Sequence, residues 1–158
     1  MFTEITQHIH PIVVHFPIAT IVIGLCYDLF MIWKNHSLSP RHGFIIWLVS
    51  AAGAWLAVAT GPEDDARGNT SYLDIHSTLA DFTAWAASLI VLWRLWMLWK
   101  GNRSIVKTAL LGYLVVSLLT CGLVLGTGYY GGKMVYTDGV GVKTNGTFVN
   151  PPHSDHQK

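Results

Sequence analysis

The stretch IVVHFPIATIVIGLCYDLFMIW, residues 12–33, decides the fold. One acidic residue, Asp28, and no lysine or arginine interrupts this apolar run. An α-helix needs about 20 apolar residues to cross the hydrocarbon core of a bilayer. The run therefore predicts a transmembrane helix. It is too long for the apolar part of a cleavable signal and lacks a basic leader, so we expect it to remain in the protein.

Three further apolar stretches follow, at residues 43–60, 75–99 and 105–129. Backbone polar groups in lipid must be hydrogen-bonded within their own segment, so each stretch is predicted to be a helix. Short polar turns join the four stretches, and short connections make neighbouring helices antiparallel. The predicted fold class is an all-α membrane protein, an up-down four-transmembrane-helix bundle forming a single domain over residues 1–142.

The chain changes character after the fourth span. Residues 128–142 (GYYGGKMVYTDGVGV) are rich in glycine, with aromatic and β-branched residues between the glycines. This pattern predicts a Gly-rich outer loop or hairpin that lies over one end of the bundle. The remaining residues, 143–158, are predicted to be a polar tail.

Composition excludes several classes of function. Of the 158 residues, 51% are hydrophobic and 12% are charged, and the mean hydropathy is +0.40. Soluble domains carry about 25% charged residues, so a cytosolic enzyme of this composition is disfavoured. The net charge of +1 and the absence of a basic stripe argue against nucleic-acid binding. Cys26 and Cys121 lie in apolar runs and form no Cys-x-x-Cys motif, which disfavours a disulfide framework and thiolate zinc sites.

The distribution of basic residues predicts the orientation. Six lysines and arginines lie at or near the turns after the first and third spans, and three lie near the opposite ends of the spans. The positive-inside rule then places both termini outside the cytoplasm. Arg94, one of the six, is expected to extend its guanidinium to the headgroups. Asp28 is expected to make a structural bond or an ion pair on the inner side.

Three of the eight histidines stand out because they lie at the outer ends of spans: His10, His15 and His76. His15 precedes Trp33 by 18 residues and His76 precedes Trp93 by 17. At 1.5 Å per helical residue, both lie about 26 Å above the inner tryptophans, and therefore at the same level. Asp81, five residues after His76, either orients a histidine or bonds to a nearby threonine.

Two neutral imidazoles on facing helices can fill both axial positions of a haem iron. The sequence therefore predicts one haem b with His15 and His76 as axial ligands, and with His10 and the loop at residues 131–142 shaping its exposed edge. Two alternatives remain open. The outer histidines, together with His153 and His156, could bind copper or zinc for sensing, delivery or transport. The bundle could also be a structural anchor or assembly subunit without a cofactor.

These strings resemble a bacterial family of small four-span membrane proteins, domain of unknown function 2231. The matching segments are HPIVVHFPIA at residues 10–19 with Asp28 downstream, TGPED at residues 60–64, His76, and GGKMVYTDGVGV at residues 131–142. The resemblance implies a bacterial inner-membrane protein with His10, His15 and His76 at motif positions.

Buried bis-histidine ligation suits electron transfer because it leaves no open position on the iron. The expected function is one-electron transfer near the outer face of the inner membrane. The expected partners are the lipid bilayer, quinol or quinone, and a periplasmic redox protein or respiratory subunit, with a possible homo-oligomer and no nucleic acid. An electron carrier or redox-complex subunit is favoured over a stand-alone enzyme.

Overall fold

The computed structural model describes residues 10–61, 70–105 and 107–150. Four helices and one small hairpin make up the fold. A single helical turn at residues 10–13 leads into the first helix. The elements are α1 (His15–Asn35), α2 (Phe44–Ala59), α3 (Leu73–Trp99), α4 (Lys107–Tyr136), β1 (Lys143–Thr144) and β2 (Thr147–Phe148).

Glycine and left-handed backbone conformations set the connection between α1 and α2. His36 follows α1 at φ 53° and donates its backbone N–H to the carbonyl of Ile32, which is the usual left-handed end of a helix. Gly43 precedes α2 at φ +70°, a conformation that glycine adopts without strain. The connection is therefore a tight, defined turn.

Within the described part of the chain, three helices are long and apolar enough to cross a membrane. They are His10–Asn35, which includes the turn before α1, together with Leu73–Trp99 and Thr108–Tyr136. The helix Phe44–Ala59 is apolar but has 16 residues, which corresponds to about 24 Å. The helical membrane fold is thus supported by three long spans, and the second predicted span is a shorter apolar helix.

The helices pack in a ring. α1 contacts α2 and α4, and α3 contacts the same two helices. α1 and α3 therefore lie diagonally across the bundle. They run in the same direction, because α2 connects them in an up-down arrangement. Buried residues on the inward faces include Ile21, Trp47, Ile90 and Tyr113.

The glycine-rich segment differs from the prediction. Residues 128–136 continue α4 as helix, and the hairpin begins only at Lys143. Lipid tolerates glycine in a helix because unfolding the backbone there would leave polar groups unbonded. The hairpin instead forms around Asn145 and Gly146, both at positive φ (51° and 81°), which is the two-residue type I′ turn. Within residues 143–158, assigned above to a polar tail, the first part is therefore ordered structure.

Candidate functional site

One buried carboxylate oxygen joins all four helices. Oδ2 of Asp28 on α1 accepts hydrogen bonds from Trp47 Nε1 on α2 at 2.8 Å and from Arg94 Nη2 on α3 at 2.6 Å. It accepts a third bond from the hydroxyl of Tyr113 on α4. All four side chains have 0% exposure. We refer to Asp28, Trp47, Arg94 and Tyr113 as the clasp, and to this end of the bundle as the clasp end.

Arg94 extends the clasp to the turn between α1 and α2. Its Nη1 donates to the backbone carbonyls of Pro40 and His42, and its Nε donates to the hydroxyl of Tyr113 at 3.0 Å. Its guanidinium carbon also lies 5.0 Å from the centre of the Tyr113 ring. The expectation that Arg94 extends to the headgroups is wrong, because its donors are already bonded inside the protein. Asp28, expected to make a structural bond or an ion pair, makes both, with Arg94 as its ionic partner.

The clasp explains why two charges are tolerated in an apolar core. A buried ion pair is costly unless hydrogen bonds satisfy its remaining donors and acceptors, and here every bond to Arg94 goes to an oxygen acceptor. The other carboxylate oxygen, Asp28 Oδ1, makes no hydrogen bond among the described residues. It faces Gly43, where an added Cβ would lie 3.2 Å from Oδ1. Gly43 therefore lets the start of α2 approach the carboxylate.

His76 lies at the opposite end of the bundle, which we call the histidine end. It is half-buried in the first turns of α3, and its Nδ1 lies 3.0 Å from the carbonyl oxygen of Thr127 on α4. Since a carbonyl can only accept, Nδ1 carries the proton and the neutral ring has its lone pair on Nε2. Gly131 packs against this ring, and a Cβ added there would lie 3.1 Å from Cε1 of His76.

His10 lies at the same end, in the helical turn before α1. It is half-buried, and its Nδ1 lies 3.5 Å from the hydroxyl oxygen of Thr60 at the end of α2. The Thr60 hydroxyl donates to the carbonyl of Leu56, and its oxygen faces the His10 ring at the limit of hydrogen-bonding distance. Pro11 does not break this turn, because Val14 N–H donates to the carbonyl of His10.

His15 is exposed and bonds within its own helix. Its Nδ1 lies 2.5 Å from the carbonyl oxygen of Pro11, four residues earlier. The buried residues of α1 include Pro17, Ile21 and Asp28, which share one face of the helix. His15 precedes Asp28 by 13 residues, or about 3.6 turns, and so lies on nearly the opposite face. The helix faces therefore favour His10, rather than His15, as the inward histidine of this segment.

The clasp fixes the register of the two inward histidines. Asp28 and Arg94 contact each other across the diagonal. His10 precedes Asp28 by 18 residues, and His76 precedes Arg94 by 18 residues. Eighteen residues are five full helical turns, so each histidine lies on the same face as its clasp residue and about 27 Å away from it. Because α1 and α3 run in the same direction, this spacing predicts that His10 and His76 lie at one level on facing sides of the core.

Asp81 makes no hydrogen bond to a histidine or a threonine among the described residues. Asp81 is exposed on α3, and the hydroxyls of Thr60 and Thr83 donate to backbone carbonyls of their own helices. Within residues 10–61, 70–105 and 107–150, no group of three or more His, Cys, Asp or Glu side chains has a metal-binding arrangement. His153 and His156, named in the copper or zinc alternative, lie outside the described residues.

Two features of the site were not predicted, the burial of Arg94 and the inward position of His10. Helix periodicity in the sequence indicates both of them. Arg94 continues the buried face of α3 that includes Ala87, Ile90 and Val91, and this position indicates burial rather than contact with headgroups. The same analysis separates His10 from His15 once the turn at Pro11 is treated as helical, since proline is accepted in the first turn of a helix.

Comparison with known proteins adds a family and no function. The family described as "Predicted membrane protein (DUF2231)" matches residues 6–144, which include both ends of the bundle. No curated protein and no solved structure matches the chain. The matched segment covers most of the 158 residues, including the HPIVVHFPIA string, the clasp and His76. The chain therefore belongs to the DUF2231 family of membrane proteins.

Proposed function

We propose that the protein is a b-type haem membrane protein that transfers single electrons at the histidine end of the bundle. The observation that carries the proposal is the register of His10 and His76. Each lies five helical turns from a residue of the clasp, and Asp28 and Arg94 are in direct contact across the core. Two imidazoles at one level on diagonally opposite helices are the ligand set that a bis-histidine haem requires.

The donor chemistry of these residues fits a haem iron. Histidines that bind metals usually donate their other ring N–H to a carbonyl or another acceptor, which fixes the tautomer and the ring orientation. Thr127 does this for His76, and the Thr60 hydroxyl lies beside Nδ1 of His10. The proposed axial ligands are therefore His76 and His10. This assignment exchanges the roles that the sequence suggested for His10 and His15, because His15 lies on the exposed face of α1.

When bound, the haem would supply reversible one-electron chemistry at its iron. The chain would hold the two imidazoles in position, and its apolar helix faces would limit access of water. A site with two protein ligands also agrees better with the described residues than a zinc or copper site, which usually takes three or four protein ligands.

The orientation of the protein forms part of the proposal. With Arg94 buried, five basic residues still lie near the clasp end: Lys34, Arg41, Lys100, Arg103 and Lys107. This excess favours a cytoplasmic clasp end and a periplasmic histidine end in a bacterial inner membrane. Electrons would then pass between quinol in the bilayer and a periplasmic redox protein or respiratory subunit.

The test uses the full chain, expressed in haem-replete cells and purified in a neutral detergent. The preparation should be red, with a Soret band that shifts on reduction with dithionite, and should contain iron. His10→Ala and His76→Ala should each lose the bound haem, whereas the matched control His15→Ala should retain it. A colourless preparation would overturn the proposal. Loss of haem in His15→Ala with retention in His10→Ala would restore the sequence-based assignment of ligands.

A further inference from the structure

The last two turns of α4 carry an open groove on the side away from the core. Its cavity has a volume of about 320 Å³ and is lined by Gly128, Tyr129, Gly132, Lys133, Tyr136 and Thr137. Gly132 lines the groove without a side chain. A Cβ added there would enter open space, with its nearest neighbour, Cδ2 of Tyr136, 3.9 Å away. The groove is therefore a space that the absence of a side chain creates on the outward face of the helix.

Lys133 is the charged residue of this groove, and two aromatic rings hold its position. Its Nζ lies 4.9 Å from the ring centre of Tyr72, the residue just before α3, and 5.1 Å from the ring centre of Tyr129. Such cation–π contacts restrain an ammonium group that would otherwise move freely. Among the described residues, no acidic side chain lines the groove. Asp138, the nearest acid along the sequence, accepts a hydrogen bond from Thr70.

The groove lies at the level of the lipid headgroups. Lys133 follows the clasp residue Tyr113 by 20 residues, or about 30 Å, which matches the thickness of the hydrocarbon core. Tyr72, Tyr129, Tyr130 and Tyr136 surround this level, and tyrosines are enriched at membrane interfaces. A ligand in the groove would have its polar part beside Lys133 and its apolar part along the glycines.

We propose that this groove is a binding site for a phospholipid with an anionic headgroup. Its phosphate would lie against Lys133 and the Thr137 hydroxyl, and its glycerol and upper acyl chains would lie along Gly128 and Gly132. A second copy of the chain fits less well. A two-fold contact through the same groove would bring two Lys133 side chains together without an acid to balance them. The proposal does not depend on the haem.

The experiment is native mass spectrometry of the full chain in a neutral detergent, mixed with phosphatidylglycerol or phosphatidylcholine. The wild type should retain phosphatidylglycerol in preference. Lys133→Gln should reduce that retention about fivefold, the effect of one basic residue near anionic lipid, and Lys133→Arg should preserve it. The matched control Lys143→Gln, which removes an exposed hairpin lysine, should behave as the wild type.

Gly132→Leu tests the groove itself, because it fills the cavity while keeping the charge of Lys133. It should lower retention of phosphatidylglycerol as Lys133→Gln does. The proposal is overturned if Lys133→Gln retains the lipid as well as the wild type, or if Gly132→Leu has no effect. A protein dimer that replaces the lipid-bound monomer, and that Gly132→Leu abolishes, would overturn it in favour of a second copy.

Discussion

At the clasp end, four fully buried side chains, one from each helix, meet at a single carboxylate oxygen. At the histidine end, half-buried imidazoles make pairwise contacts, His10 with Thr60 just after α2 and His76 with Thr127 on α4. The clasp is dry and joins the whole bundle, whereas the histidine end is partly open and consists of pairwise contacts. Rigid positioning at one end thus coexists with groups suited to ligand chemistry at the other.

The largest expected effect comes from breaking the clasp. Arg94→Met leaves the Asp28 carboxylate buried without its counter-ion, which should lower the free energy of unfolding by about 3–5 kcal/mol. Unfolding by SDS in mixed micelles, followed by circular dichroism, measures the change. Lys100→Met, at the exposed end of α3, is the control and should have little effect.

The double variant Asp28→Met with Arg94→Met sharpens this result. Removing both charges should restore much of the stability that Arg94→Met loses, because the uncompensated charge is gone. If the two losses simply add, the ion pair is not the source of the effect. A stable Arg94→Met protein would mean that the clasp does not hold the helices together.

A smaller effect is expected from Tyr113→Phe, which removes the hydroxyl that bonds to Asp28 and Arg94 and keeps the ring. The loss of this buried partner should cost about 1–3 kcal/mol in the same unfolding measurement. Tyr136→Phe is the matched control, since Tyr136 is 90% exposed. Equal stability of the two variants would count against a structural role for the hydroxyl.

The smallest expected effect is a difference in stability between alanine variants at two glycines of α4. Gly131→Ala should press a methyl group against the His76 ring and destabilise the histidine end by about 1 kcal/mol. Gly122→Ala meets no atom within 4 Å, so it should be neutral or slightly stabilising through its higher helix propensity. Thermal unfolding compares the two variants. Equal melting temperatures would show that contact with His76 does not constrain position 131.

The helical membrane fold could be predicted from sequence because long apolar runs have few alternatives in lipid. The burial of Asp28 followed from the same reasoning, since a lone acid inside a span needs a partner. The extent of α4 did not follow, because the glycines at residues 128–132 indicate a loop in water but continue the helix, with Gly131 packed against His76. The hairpin turn, however, was visible in the Asn-Gly pair at residues 145–146.

The candidate ligands show a second limit of the sequence. Level could be estimated by counting residues from Trp33 and Trp93, but the facing direction required a fixed angular reference. That reference is the contact between Asp28 and Arg94, a pairing between residues 66 positions apart that no local pattern encodes. This contact identifies the face of α1 that is turned toward α3, and the 18-residue spacing assigns His10 rather than His15 to that face.

The helices also differ in the length by which they extend beyond the clasp toward the histidine end. Counted from Trp47, α2 continues for 12 residues, about 18 Å, whereas α4 continues from Tyr113 for 23 residues, about 35 Å. Among the described helices, α4 therefore extends about 17 Å beyond the end of α2. Because α2 is the shortest of the described helices at this end, the helices present no rotational symmetry, and a protein that binds them there would do so in a single orientation.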